Sequence, residues 1–149
     1  MAFTRDILTS FPIESYKSQK GENKSRIVSY KITFTSSNSL AQNEIMRITQ
    51  LPTGTGIVSG MVRIVTANTG VTDIDIGYGT GLTASSNIAD GLSMATAGFL
   101  AINNITKSNG AAYMTATNNV SITNKDATTL SSGALEVILE IVDYTGATT

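Results

Sequence analysis

Residues 134–144 read ALEVILEIVDY, and this stretch decides the fold. Leu135, Val137, Leu139 and Ile141 fall on one face of an extended chain; Glu136, Ile138, Glu140, Val142 and Tyr144 fall on the other. A period of two marks a β-strand with one buried face. The second face is mixed. Ile138 and Val142 stand beside two glutamates, which predicts that something covers that side, such as a neighbouring subunit.

Working back towards the N-terminus, the same period recurs. In residues 27–34, IVSYKITF, Val28, Tyr30, Ile32 and Phe34 alternate with Ser29, Lys31 and Thr33. Residues 44–50, EIMRITQ, set Met46 and Ile48 opposite Arg47 and Thr49, and end at Pro52, Thr53 and Gly54. Residues 57–67, IVSGMVRIVTA, place Val58, Val62 and Ile64 on one face and Met61, Arg63 and Val65 on the other. Gly60 in their middle predicts a bulge or a close backbone approach. A turn at Asn68, Thr69 and Gly70 leads into VTDIDIGYG, residues 71–79, so the two segments read as a hairpin. Within it Ile74 and Ile76 face one way, and Asp73 and Asp75 the other. Residues 79–97 are small and polar, with a short helix expected around 88–94. Three further strands are expected at 99–105, 112–116 and 120–123, with Asn118 and Asn119 forming the turn between the last two.

Eight strand segments punctuated by Gly, Ser, Asn and Thr predict an all-β, eight-stranded antiparallel β-sandwich of jelly-roll type over residues 27–149. Residues 1–26 are different. Phe3, Ile7, Leu8 and Phe11 have helical spacing, Pro12 would stop a helix there, and Ile13 and Tyr16 follow before a polar stretch, 18–25. This segment reads as an N-terminal arm. Its apolar residues Phe3, Ile7, Leu8, Phe11, Ile13 and Tyr16 are the candidate partner-binding residues, docking on the same chain, a sister subunit or another protein.

Composition narrows the chemistry. The 149 residues include no Cys, no His and no Trp. Thiolate sites, His-based acid–base catalysis and the usual zinc, iron and copper sites lose their ligands. Charged residues make up 14% of the chain and the net charge is -1, so the surface is polar but weakly charged. That suits contact with protein better than capture of nucleic acid. The first fifty residues carry about +3 and the remainder about -4. No apolar run approaches the roughly 20 residues needed to span a bilayer, and the N-terminus lacks the apolar core of a signal peptide. A soluble protein that is not exported by that route is expected, with no membrane partner, no cofactor and no catalytic residue.

Two local patterns are candidates for chemistry. Asp73 and Asp75 share a strand face and could hold calcium, but that ion wants six or more oxygens, so a solvated face is the expectation. The glycine-rich Gly77–Tyr78–Gly79–Thr80–Gly81 lacks the helix and Lys of a phosphate loop and reads as a strand exit. Tyr78, Tyr113 and Tyr144 are the candidate sugar-stacking platforms, each with a half-buried strand position as the simpler reading.

Leu51, Pro52 and Gly54, then a long strand, then Asp75, Gly77 and Gly79, then Asp90 in a small-residue segment form a pattern over residues 44–100. It resembles small capsid decoration (cement) proteins of tailed bacteriophages. The resemblance implies a jelly roll or sandwich, a homotrimer, the major capsid protein as partner, and a place on the outer surface of the virion. The alternatives from the residues are a carbohydrate-binding sandwich, a tail-fibre module or a carboxylate-based glycosidase. Exposed tyrosines on one face would favour the first two, and two carboxylates facing across a pocket the third.

Overall fold

The computed structural model describes residues 4–6, 25–108 and 110–143. These residues contain ten strands and no helix. They are β1 (Thr4–Asp6), β2 (Ser25–Thr33), β3 (Ile45–Leu51), β4 (Thr55–Thr66), β5 (Ile74–Gly79), β6 (Ala89–Leu92), β7 (Gly98–Ala101), β8 (Ala112–Tyr113), β9 (Asn118–Asn124) and β10 (Ala134–Asp143). One sheet runs β1-β3-β9-β5-β6, and the other β2-β10-β4-β7 with β8 added beside β4. All pairings are antiparallel except β1 with β3. The orders 3-9-5-6 and 2-10-4-7 interleave consecutive strands between two sheets as in a jelly roll.

The core lies between the sheets. All twelve residues of the expected inward sets are buried: Val28, Tyr30, Ile32, Phe34, Val62, Ile64, Ile74, Ile76, Leu135, Val137, Leu139 and Ile141. They come from both sheets and join Ile48, Ile57, Ile122 and Met94 in one cluster. Each large side chain so buried contributes about 1.5–3 kcal/mol before ordering costs. The Tyr30 hydroxyl keeps its proton more firmly than usual, because burial outweighs its hydrogen bond with Thr49 and the nearby Arg26 charge.

Gly60 is a close approach. A Cβ there would sit 2.7 Å from the Ile138 carbonyl oxygen and 2.9 Å from Leu139 Cδ2. The expected bulge lies slightly earlier. Glu140 faces Ser59 and Ile141 faces Ile57, so Val58 is the extra residue. This flips the alternation: Ile57 is fully buried and Val58 is only half-buried, contrary to the expected face.

Four further expectations are corrected. Residues 57–67 and 71–79 do not form a hairpin, because β4 and β5 lie in different sheets. Asn68 explains the crossing. Its backbone N–H donates to Met94 O and its side-chain amide to Ser132 O, drawing the chain off the end of β4. Residues 89–92 are strand β6, not helix, since Ile74 and Ile76 of β5 take Leu92 and Ala89 as partners. That strand raises the expected eight to nine over residues 25–143. Asn118 and Asn119 begin β9 and are not a turn. Lastly, Thr4–Asp6 is extended and pairs with β3, which excludes a helix beginning at Phe3.

Candidate assembly surface

The outer face of the β2-β10-β4-β7 sheet is built from the alternate residues that the core leaves outside. Pairing sets them in rows. Lys31, Glu136, Arg63 and Phe99 form one row across the four strands, and Ser29, Ile138, Met61 and Ala101 the next. Ile27, Glu140 and Ser59 follow. Phe99 is 66% exposed, Ile27 44% and Met61 41%, the large apolar residues most open to solvent among those described.

The charges in these rows are largely answered within the sheet. Ser29 Oγ donates to Glu136 at 2.6 Å, and Arg63 lies 4.0 Å from the same carboxylate. Ser59 Oγ donates to Glu140 at 2.8 Å. The Arg63 guanidinium also lies over the Phe99 ring, 5.8 Å from its centre. Two bases and two acids leave the face near neutral, with Met61 and Arg63 on β4 and Phe99 beside them on the edge strand β7. These residue types are enriched where proteins touch. The mixed character of β10 was legible in the sequence. Half-buried Ile138 fits it, but Val142 is already buried at its pairing with Gly56. There the Tyr113 ring lies so close that a Cβ on Gly56 would sit 2.8 Å from its Cε1. Phe99 carried no such signal, because a lone aromatic in a short strand reads equally well as core.

The other sheet presents a different outer face. β9 is buried at every position. Asn119 Oδ1 accepts from Arg47 Nη1 at 3.0 Å and Gln50 Nε2 at 2.9 Å, and its amide donates to Thr80 O. Ser85 packs against Gly77, so residues after β5 fold back over the sheet. The glycine-rich segment is therefore a strand exit, as expected, and it also makes room for this cover.

Asp75 departs from the expected solvated face. It is 9% exposed and accepts a hydrogen bond from the Gly91 N–H at 3.1 Å. Burial raises its pKa above the usual carboxylate value; the Gly91 bond works against this, while Asp90 and Asp73 add to it. Asp73 is exposed. Thr123, opposite Asp75 on β9, is fully buried, and its hydroxyl has no hydrogen-bond partner among the described residues. Among the described residues no three acidic groups are arranged to hold a metal ion. Tyr78 and Tyr113 are half-buried, and Tyr144 lies outside the described residues.

Of the arm, only the backbone of Thr4–Asp6 is described. It pairs in parallel with β3: Thr4 with Ile45, Arg5 with Met46, Asp6 with Arg47. Phe3, Ile7, Leu8, Phe11, Ile13 and Tyr16 lie outside the described residues. No helix among the described residues is long and apolar enough to cross a membrane.

No protein-family model matches the chain, and no curated protein matches it in sequence. Solved structures do match in fold. A chain of the capsid of Ralstonia phage GP4 superposes with a TM-score of 0.63 at 16% identity, covering 87% of this chain and 91% of that one. A chain of the acidic stable capsid of Helicobacter pylori bacteriophage KHP30 gives 0.56 at 16% identity, covering 85% and 94%. A chain of the cyanophage Pam1 capsid asymmetric unit gives 0.53 at 14% identity, covering 87% and 91%. The chain thus shares its all-β sandwich, nearly end to end, with chains found in phage capsids.

Proposed function

We propose that this protein is a non-enzymatic virion structural protein, a decoration (cement) protein of a tailed-phage head. It binds the outer surface of the shell as a homotrimer and braces neighbouring copies of the major capsid protein. The observation that carries this reading is the near full-length likeness to chains of three phage capsids. The near-neutral face bearing Phe99, Met61, Ile27 and Ile138 supports it, because a bracing protein needs protein contacts rather than a pocket. Residues 1–26 act as the docking arm. The carbohydrate-binding and tail-fibre alternatives draw no support from the two described candidate tyrosines, since Tyr78 and Tyr113 pack half-buried on their own domain.

The test is co-sedimentation of the purified protein with expanded shells that lack it, with light scattering on the free protein. Saturable binding and a higher melting temperature of the decorated shells are expected. Shells that bind none of it would sink the decoration role.

A further inference from the structure

We propose that the edge of β3 at Ile45–Arg47 receives the Thr4–Asp6 segment of a second copy of this chain, so that neighbouring subunits exchange their N-terminal strands. This rests on the homo-oligomer part of the reading above, and it names the place where the arm docks.

β1 adds to β3 at three positions, on the side away from β9. It is the one parallel pairing among the described residues, and a parallel neighbour always requires a long connection. Here that connection is much longer than its route. Ser25 pairs with Val142, and Val142 with Gly56, which directly follows the turn out of β3. β2 therefore starts at the end of the sandwich where β3 finishes. The path from Asp6 to Ser25 is about four residues along the strand, some 13 Å, and one sheet spacing of about 10 Å. Residues 7–24 are eighteen in number and reach up to about 60 Å when extended.

The surplus chain has a composition that needs a surface. Residues 7–24 include Ile7, Leu8, Phe11, Ile13 and Tyr16, whereas the inner faces of the sandwich are already filled from residues 28–141. Exchange costs little, since the strand makes the same backbone pairing in a neighbour as at home. Inside an oligomer, each three-residue pairing is reinforced by high effective concentration. The edge of β3 is also closed to unrelated strands in this way.

The absence of Cys in the sequence makes the test clean. Asp6 and Arg47 are register partners, so D6C with R47C in one chain brings the two Cα atoms within disulfide range. T4C with I45C is a second pair, should the first disturb the Arg47 contact to Asn119. The purified protein is oxidised without capsids, sized by light scattering and run under denaturing, non-reducing conditions. Covalent dimers and trimers whose linked peptides contain positions 6 and 47 are expected. A monomeric particle, links confined within single chains, or an oligomer with no such link from either pair would overturn the exchange. None of these outcomes bears on shell binding, which co-sedimentation tests separately.

Discussion

The outer faces of the two sheets carry similar numbers of polar residues and treat them in opposite ways. On β10, polar and apolar residues alternate, and the polar side meets solvent in rows with Lys31, Arg63 and Ser59. On β9, Asn119, Ser121 and Thr123 also point away from the core, yet all three are buried. The Asn119 amide can be covered because Arg47, Gln50 and Thr80 supply its partners, whereas ionised Glu136 and Glu140 keep their contact with water. The face with Glu136 and Glu140 is the open one, and the face with Asn119 is closed by its own chain, which takes Asp75 under the same cover.

The contrast between faces should vanish in the core. Ile122→Ala in one sheet and Leu139→Ala in the other should each cost about 2–5 kcal/mol in denaturant unfolding. If one of them cost under about 1 kcal/mol, the single shared core would be the wrong description. The faces should then separate. Asn119→Ala leaves Arg47 and Gln50 without their common acceptor and should cost about 1–3 kcal/mol. A near-zero effect would mean that the amide network is ornamental.

Acid should next distinguish the covered carboxylate of Asp75 from the loop carboxylate of Asp126. The folded pKa of Asp75 is raised, so the folded state holds that proton more tightly than the unfolded chain. Its contribution is complete below the ordinary value of 3.8 and is lost as pH rises through the raised folded value. D75N should therefore remove the part of the stability gained on acidification across that window. Asp126 has the opposite sign. Backbone N–H groups of Thr128 and Thr72 hold its pKa down, so its contribution stands above 3.8 and fades as pH falls through the depressed value. Melting temperatures of the wild type, D75N and D126N between pH 3 and 7 check both slopes, and equal slopes would refute the assignment. The smallest effect belongs to the open face. Phe99→Ser should shift stability by no more than about 0.5 kcal/mol. Shell binding, measured on the same variant, should weaken if this face touches a neighbour.

Much of the fold was legible because register ties every residue of a strand to one side. Once Leu139 and Ile32 were inward, the rest of β10 and β2 followed. Topology was not legible. The turn at Asn68 has hairpin composition, and only the distant Met94 and Ser132 carry the chain across to the other sheet. β6 is four residues long, with Asp90 and Gly91 in its middle, too short and polar to show a period. The bulge at Val58 reversed the faces behind it, which a strict alternation cannot foresee. Asp75 departs from its expected exposure for a related reason. Its strand position was right, but the cover brought by Gly91 lies sixteen residues away in sequence. The apolar residues of the N-terminal segment stood out by composition, and the pairing of Thr4–Asp6 with β3 became visible only in the structure.

The position of β10 has a consequence for how the protein is made. It lies between β2 and β4, so the first long strand of the sandwich and its third meet only through the last. During synthesis no nascent chain shorter than about this whole domain can close that sheet. Until then two long strands each expose an unpaired edge that should have become interior. Folding waits for Ala134–Asp143 to leave the ribosome, then proceeds at the slow pace of sequence-distant pairing, about milliseconds to seconds. A stop codon before residue 134 would release a chain whose half-built sheet is open to other half-built sheets, and inclusion bodies are the expected product.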